Sequence, residues 1–196
     1  FLSRDTKQIT QLYTVKGPDF MDTIKLILPS EEYLDQVWAY RQECHEADSS
    51  MDGCGPLRHN ESAAQWLADV RAYTDPATLP EGKVTATQFL AVRESDGRLM
   101  GMIQVRHYFN EYLEKFGGHI GYSVRPSERR KGYGREQLRL ALLFCKETLG
   151  LDRALITCKT GNEGSRRTIL SAGGVYENTV HEPGQNVDLE RYWITL

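Results

Sequence analysis

One segment of the sequence concentrates cations around two closely spaced glycines. It reads RPSERRKGYGREQL over residues 125–138, with Gly132 and Gly134 where a helix is predicted to begin. A helix N-terminus offers unpaired amides and a partial positive charge. Glycines let a phosphate approach such amides because no Cβ intervenes. The segment therefore predicts an anion site whose natural ligand is a di- or triphosphate; its cations are Arg125, Arg129, Arg130, Lys131 and Arg135.

The two common nucleotide motifs do not describe this loop. The pattern GxxxxGK[ST] is absent, and Gln137 stands where GxGxxG would have its third glycine. The loop also follows predicted antiparallel strands rather than the first strand of a βαβ unit. A nucleotide or another phosphate ligand stays open as an alternative. So does a structural role, in which the glycines shape a turn and the cations form a solvated face.

The residues around the loop predict the elements that position it. Apolar residues at 138, 141, 142, 145 and 149 recur at helical spacing, so a long helix should follow the glycines. Asp96-Gly97 predicts a hairpin turn, and Pro126 should end the strand before the loop. We expect the chain to begin with a strand at 23–28, followed by helices at about 30–44 and after Asn60. Three strands of a meander and the long helix to Gly150 come next. A strand at 153–159, a helix capped by Asn162 and two closing strands complete the predicted order. The predicted class is α/β, of the α+β kind, with a largely antiparallel sheet.

The overall composition is that of a soluble globular protein. The chain has 196 residues, a net charge of −3, 40% apolar residues and 26% charged residues. This balance exerts no general attraction on nucleic acid or membranes. No apolar run approaches the roughly 20 residues that span a bilayer, and no secretory leader opens the chain. We expect a cytoplasmic protein with a single domain over 21–196, opening at Met21, after an N-terminal extension over 1–20.

The cysteines argue against both disulfides and a metal. Four are present, and none forms a CxxC pair. Their wide spacing predicts free thiols in a reducing compartment. Cys44, His45, Cys54 and His59 are residue types that bind zinc, but their spacing fits no common finger or ribbon. We therefore expect no metal.

The cationic loop resembles the cofactor loop of a known family. Residues 129–134, RRKGYG, match the [R/Q]-x-x-G-x-[G/A] signature of the GCN5-related N-acetyltransferases, the GNAT family. The order of elements over 23–196 is similar, and NEGSRRTIL followed by Gly173-Gly174 resembles the family's later Asn-x-x-Ser helix. The segment GGHIGYSVRPSERRKGYG resembles a bacterial subgroup of predicted acetyltransferases. The resemblance implies a GNAT-like fold, with helices on both faces of a largely antiparallel sheet and a splayed pair of strands that binds the cofactor.

The resemblance also implies a ligand and its contacts. Acetyl-CoA would be the co-substrate, with its pyrophosphate at the loop and its pantetheine arm paired with the strand before the loop. Asn162 matches an asparagine that touches pantetheine in the family, and a pure N-cap is its alternative role. The implied cofactor-binding residues are Tyr122, Ser123, Val124, Arg125, Arg129, Arg130, Lys131, Gly132, Tyr133, Gly134, Arg135, Asn162 and Ser165.

The implied reaction moves an acetyl group to a primary amine by direct attack on the thioester. The backbone amide of Val124 would donate to the thioester oxygen. His119 is the candidate general base, because an unperturbed imidazole titrates near neutrality. A purely structural histidine fits the sequence equally well, and Glu111 and Glu114 are further candidates.

The sequence departs from the family at the usual acid. Ile169 occupies the position at which the family often has a tyrosine. Tyr133, Cys158, Tyr176 and Tyr192 are the remaining candidate acids. The departure favours an alternative function, a non-catalytic CoA-binding or sensing module on the same fold. For the enzyme, the expected acceptor is a small-molecule or peptide amine, with no nucleic acid or membrane as partner, and family members often form homodimers.

Overall fold

The structure, a computed structural model, describes residues 22–196, and the expected extension over 1–20 lies outside that range. The strands and helices of the described chain follow one another in the predicted order. The strands are β1 (Ile24–Ile27), β2 (Ala86–Arg93), β3 (Leu99–Arg106), β4 (Ile120–Val124), β5 (Arg153–Lys159), β6 (Val175–Glu182) and β7 (Val187–Thr195). The helices are α1 (Leu34–Glu46), α2 (Ala63–Ala72), α3 (Tyr133–Glu147) and α4 (Glu163–Ser171).

The strands form two antiparallel sheets. The first has the order β1-β2-β3-β4, and the second has the order β5-β7-β6. The β2–β3 hairpin turns at Asp96-Gly97 as predicted, with Gly97 at φ +69°, a conformation that glycine adopts without steric cost. β4 is the last strand of the first sheet and β5 the first of the second, so the two sheets meet along this pair.

Helices cover both faces of the first sheet. Alternate residues of β2 belong to opposite cores: Phe89 packs in the core that includes α3, and Leu90 in the core that includes α1 and α2. Side chains of a strand alternate between faces, so this division follows from the sequence. In α3 the predicted apolar face is buried, at Leu138, Ala141, Leu142 and Cys145. The predicted mixed, largely antiparallel α/β fold with helices on both faces is confirmed.

Helix starts differ from the sequence expectations by a few residues. Ser30 precedes a short 3₁₀ turn, Glu31–Tyr33, and α1 begins only after it. The N-cap of α2 is Ser62, whose hydroxyl accepts a hydrogen bond from the amide of Gln65 at 3.1 Å. The departure at α1 is local, and α2 begins at Ala63, after Asn60 as predicted. None of the helices over 22–196 is long and apolar enough to cross a membrane.

Candidate functional site

Strands β4 and β5 touch at one end and then separate. The amide of His119 donates to the carbonyl of Leu155 at 2.7 Å, and the amide of Leu155 donates to Nδ1 of His119 at 3.0 Å. Beyond this junction the two strands belong to different sheets. The result is a wedge-shaped gap between two strand edges, which is the splayed pair that the sequence resemblance implied.

The register of β4 determines which backbone groups face the gap. His119 and Arg125 direct backbone groups toward β3: the His119 carbonyl accepts from the Arg106 amide at 2.8 Å, and the Arg125 amide donates to the Met100 carbonyl at 2.9 Å. Backbone groups alternate in direction along an antiparallel strand. The paired register then directs Gly121 and Ser123 toward β3 and Tyr122 and Val124 toward the gap. An added strand can therefore bond to Tyr122 and Val124.

Ser123, one of the predicted cofactor contacts, points its side chain away from the gap edge. Its hydroxyl accepts from the Tyr40 hydroxyl at 2.9 Å and lies 3.2 Å from Sγ of Cys54. Its carbonyl also accepts from Nε2 of Gln137 at 3.1 Å. Burial raises the pKa values of Tyr40 and Cys54 above their usual range, so both remain protonated near neutral pH. This buried group anchors β4 to α1 and to the loop after it.

The loop from β4 to α3 presents a run of free amides. The first helical bond of α3 runs from the Glu136 amide to the Gly132 carbonyl at 3.1 Å. The amides of residues 130–135 precede that bond, and among the described residues they have no acceptor within the protein. Six consecutive amides and the positive end of a 15-residue helix provide the donors and the partial charge that the predicted anion site requires.

The two glycines of the loop have different roles. Gly132 is the N-cap residue of α3 and has φ +90°, which disfavours any residue with a Cβ. Gly134 has an ordinary helical backbone, and a Cβ placed on it would lie 3.5 Å from Cγ2 of Val124 and 3.8 Å from Oγ1 of Thr168. The protein itself would tolerate that atom. Gly134 therefore keeps space free in the gap rather than in the packed core.

Three cations of the loop are engaged within the protein. Arg125 is buried and pairs with Glu43 at 3.2 Å. Arg129 donates from Nε to the carbonyl of Val124 at 3.1 Å and from Nη2 to the hydroxyl of Ser49. Lys131 pairs with Glu128 at 2.9 Å. These three side chains therefore hold the loop in its conformation through contacts within the protein.

The two remaining cations, Arg130 and Arg135, are exposed and make no ion pair with any residue in 22–196. They flank the free amides, so they are available to an anionic ligand. Of the cations predicted to bind a phosphate, these two carry a charge that the described fold has not already used.

Glu128 holds the loop against the first sheet. Its buried carboxylate lies 2.9 Å from Lys131, 3.5 Å from Arg98 and 3.7 Å from Arg93. Arg93 and Arg98 flank the β2–β3 turn. The carboxylate of Glu128 thus connects the loop between β4 and α3 to the β2–β3 hairpin. No role for Glu128 was predicted from the sequence.

Helix α4 supplies side chains to the other wall of the gap. The Oδ1 atom of Asn162 accepts from the amide of Ser165 at 3.1 Å, so the predicted N-cap role is confirmed. The hydroxyl of Ser165 lies 3.0 Å from the hydroxyl of Tyr122 across the gap. Burial raises the pKa of Tyr122 to about 12. Tyr122 and Ser165 are therefore neutral hydroxyl groups able to donate or accept hydrogen bonds.

These elements enclose one cleft of about 1100 Å³. Its lining includes the free edge of β4, the loop amides and the start of α4, and on the far side the turn before β4 and the loop after α1. The cleft thus joins the free edge of β4 to the free amides of the loop.

The loop after α1 reaches this cleft through a contact that the sequence did not suggest. Gly53 lies so close to β4 that a Cβ on it would stand 2.0 Å from the Gly121 carbonyl oxygen. Gly53 also has φ +75°. The contact brings Asp52 and Ser49 to the cleft wall. No functional role for Asp52 or Gly53 was predicted from the sequence; the signal for the contact is that glycine stands at both positions of the crossing, Gly53 and Gly121.

His119 lies at the closed end of the wedge. Its side chain is buried, and its ring is 4.0 Å from the ring of Phe109. Because Nδ1 accepts the Leu155 amide, the neutral imidazole carries its proton on Nε2. Burial, together with the positive charge of Arg106, lowers the pKa of His119 to about 4. Of the two roles that the sequence left open, this position favours the structural one.

The candidate acids are dispersed. Tyr133 and Ile169 are buried in the core, and Tyr176 is exposed on β6. Tyr192 donates to Glu190 at 2.7 Å, and Sγ of Cys158 lies 3.8 Å from the same carboxylate. Cys158 lines the cleft, and burial raises its pKa to about 11. Cys158 and Tyr133 are the predicted acids that line the cleft, and Tyr122 and Ser165 are further hydroxyls there. Glu114 lies in the turn that precedes β4, and Glu111 lies before that turn.

Residues 22–196 contain no group of three or more His, Cys, Asp or Glu side chains arranged to hold a metal ion. The four cysteines are buried and unpaired. The chemistry available to the cleft is that of backbone amides, hydroxyls, a thiol and single charges.

The comparisons agree with this architecture. Residues 23–175 match the family model of the acetyltransferase (GNAT) domain. The chain therefore belongs to the GNAT acetyltransferase family. A search of curated proteins finds no match.

Solved structures share the fold. A putative ribosomal-protein-serine acetyltransferase from Vibrio cholerae has a TM-score of 0.64 at 20% identity, covering 94% of this chain and 98% of that one. Mycobacterium smegmatis RimJ, in complex with CoA-disulfide, has a TM-score of 0.65 at 17% identity and covers 89% and 82%. The microcin C7 self-immunity acetyltransferase MccE, in complex with acetyl-CoA and AMP, has a TM-score of 0.62 at 14% identity and covers 88% and 94%.

Proposed function

We propose that this protein is an acetyl-CoA-dependent N-acetyltransferase that acetylates a primary amine. The observation that carries the proposal is the continuity of two features. The free backbone edge of Tyr122 and Val124 leads directly into the six unpaired amides of residues 130–135. A ligand with a peptide-like arm joined to a pyrophosphate fits both features at once.

The loop and strand divide the binding between them. The amides of 130–135, with Arg130 and Arg135, bind the pyrophosphate through charge-assisted hydrogen bonds. Tyr122 offers both its backbone groups to the pantetheine arm, and Val124 offers its amide because its carbonyl is bound by Arg129. Asn162 and Ser165 face the arm from α4. Tyr133 and Arg125 support the loop from the packed interior.

The free amides of β4 also serve the chemistry. The attacking amine forms a nitrogen–carbon bond at the thioester carbonyl, and the carbon–sulfur bond breaks to release the CoA thiolate. Negative charge develops on the thioester oxygen, and the amide of Val124 or Tyr122 stabilises it. The thiolate takes up a proton from the Ser165–Tyr122 hydroxyl pair, from Cys158 or from water.

The amine must lose a proton before or during attack. The loop after α1 brings two carboxylates to the cleft, Asp48 and Asp52, and Asp52 adjoins Gly53, which lies against β4. We propose that the proton passes to Asp52, directly or through water. His119 as base stays a prediction, but its Nδ1 is bound to Leu155 and it is not among the residues that line the cleft.

The names of the structural neighbours bear on the class of acceptor. One structural neighbour is named for a ribosomal-protein serine, and another was solved with AMP. These names support amines of peptides or small molecules, as expected from the sequence. The cytoplasmic location and a homodimer stay predictions.

The alternative is a CoA-binding module without catalysis. Ile169 favours it, because the usual acid position holds a fully buried aliphatic side chain. The discriminating experiment follows free thiol from acetyl-CoA in the presence of a panel of primary amines, with calorimetry of CoA binding in parallel. Amine-dependent thiol release supports the enzyme. Tight CoA binding without release for any amine supports the module, and absence of CoA binding contradicts both.

A further inference from the structure

Two arginines bind the same turn from different sides. The π-helical turn Leu113–Gly117 leads into β4. Arg106, at the end of β3, donates from Nη1 to the carbonyl of Gly117 at 3.1 Å. Arg191, on β7, donates from Nη1 to the carbonyls of Glu114 and Lys115 at 2.5 and 2.6 Å. Their backbone contacts are of the same kind, so the two side chains can be compared directly.

The charge of only one of these arginines is balanced. Arg191 pairs with Glu177 at 2.8 Å. Arg106 has no carboxylate within ion-pair distance among residues 22–196, and it is half-buried. Burial lowers the pKa of Arg106, and the charge of Asp52 offsets part of that effect. A charge withdrawn from water without a paired counter-charge is destabilising, and a bound anion would offset that cost.

The location of Arg106 indicates what kind of anion fits. Arg106 lines the cleft, and Arg191 does not. The Nη2 atom of Arg106 lies 3.2 Å from the position that a Cβ on Gly121 would occupy. Gly121 adjoins Tyr122, whose free amide faces the reaction gap. An anion bound to Arg106 would therefore be close to the thioester.

The local charges favour a single carboxylate. Arg106 acts alone there, without the several cations and free amides found at the anion loop. Asp52 stands on the same wall and would repel a doubly charged phosphate. A guanidinium and a carboxylate side by side match an ammonium and a carboxylate within one molecule.

We propose that the acceptor is an amine that carries a carboxylate close to its nitrogen, with Arg106 binding the carboxylate and Asp52 drawing in the ammonium. The carboxylate belongs either to a free α-amino acid or to an acidic first residue of a peptide. The proposal rests on the proposed acetyltransferase activity and names the substrate class of that same site.

The test uses matched acceptors with the full-length protein. Free alanine, serine and glutamate are compared with their α-carboxamides, and dipeptides beginning with Glu are compared with those beginning with Gln. The measured quantity is kcat/KM for thiol release from acetyl-CoA. In at least one matched pair, wild type should have a kcat/KM about 10- to 100-fold higher for the acceptor with the carboxylate than for its amide counterpart. A ratio of that size is expected of a charge-assisted hydrogen-bond pair. The amino acid pairs and the dipeptide pairs distinguish the two sources.

The variants separate recognition from support of the turn. Arg106→Gln should abolish the preference while leaving acetyl-CoA affinity and the rate with carboxamides within about threefold. Arg106→Lys should retain part of the preference, because it keeps the charge without the planar fork. Arg191→Gln removes an equivalent clamp on the same turn outside the cleft, so it should leave the preference intact.

Three results would overturn the inference. One is a wild-type enzyme that acetylates carboxamides as well as carboxylates. Another is an Arg106→Gln variant that loses both members of a pair equally, which would make Arg106 a support for the turn. The third is loss of the preference in Arg191→Gln. Absence of turnover with every amine would instead contradict the proposed function.

Discussion

The imidazole of His119 takes the place of a backbone hydrogen-bond acceptor at the point where β4 and β5 begin to diverge. Its Nδ1 accepts the Leu155 amide at 3.0 Å, while its own amide donates to the Leu155 carbonyl at 2.7 Å. The two strands are thereby hydrogen-bonded at His119 and Leu155, and they separate beyond these residues. The opening proposed to take the cofactor begins at this side-chain bond.

The first prediction concerns pH and stability. The folded-state pKa of His119 is about 4 against 6.5 for an unperturbed histidine, so the unfolded chain binds the proton first as the pH falls. Stability is fully present above about pH 6.5 and is lost toward pH 4, by about 2 kcal/mol between pH 7 and pH 5. Urea unfolding at a series of pH values measures this loss.

The matching variant is His119→Gln. Its free energy of unfolding should be lower at pH 7 than that of wild type, but it should change less with pH. His107 adds a residual slope of the same sign, because burial lowers its pKa too. His181→Gln is the control, since His181 is exposed. An unchanged slope in His119→Gln would show that His119 does not cause the acid loss.

The second prediction concerns Gly134. A Cβ at this position has room within the protein, so Gly134→Val should melt within a few degrees of wild type. The added side chain occupies the cleft, and acetyl-CoA affinity should fall by about 10- to 200-fold, the effect of misplaced methyl groups in a fitted site. Calorimetry measures the affinity and a thermal melt the fold. A stable variant with normal affinity would remove this part of the cleft from the cofactor path.

The third prediction separates the cations of the loop. Arg135→Gln removes a charge that the protein has not used, and acetyl-CoA affinity should fall about tenfold, with a weaker dependence on salt. Lys131→Gln is the matched control, because Lys131 already pairs with Glu128 at 2.9 Å. Its effect should be about threefold or less. Equal losses in the two variants would mean that the cations act as a diffuse field instead of at defined positions.

The fourth prediction concerns the anchor of the loop. Glu128→Gln leaves three cations around a neutral buried amide, and the free energy of unfolding should drop by about 3 kcal/mol. Acetyl-CoA affinity should also weaken, because the amides of 130–135 lose their fixed position. Asp96→Asn, which removes the exposed partner of Arg93 at 2.5 Å, should have a much smaller effect, because exposed ion pairs contribute little. Chemical denaturation compares the two, and a milder effect for Glu128→Gln than for Asp96→Asn would contradict the anchoring role.

Features that depend on nearby residues were predictable. The helix face at Leu138 to Cys145, the turn at Asp96-Gly97 and the cap at Asn162 each follow from spacing within one segment. The start of α2 after Asn60 was also predicted, and its cap is Ser62. Asn60 instead donates to Asp69 at 2.6 Å.

The sequence by itself determined the family, the order of the elements and the anion loop, because glycine conformation and helix-start amides are properties of a short segment. Tertiary structure decided which groups are free to act. The charges of Arg125, Arg129 and Lys131 are engaged by Glu43, Ser49 and Glu128, and Nδ1 of His119 by Leu155. Asp52 reaches the cleft through the contact of Gly53 with Gly121, and Arg106 reaches it from the end of β3. Pairing between residues far apart in the chain depends on packing, and packing determines which charges remain for a substrate.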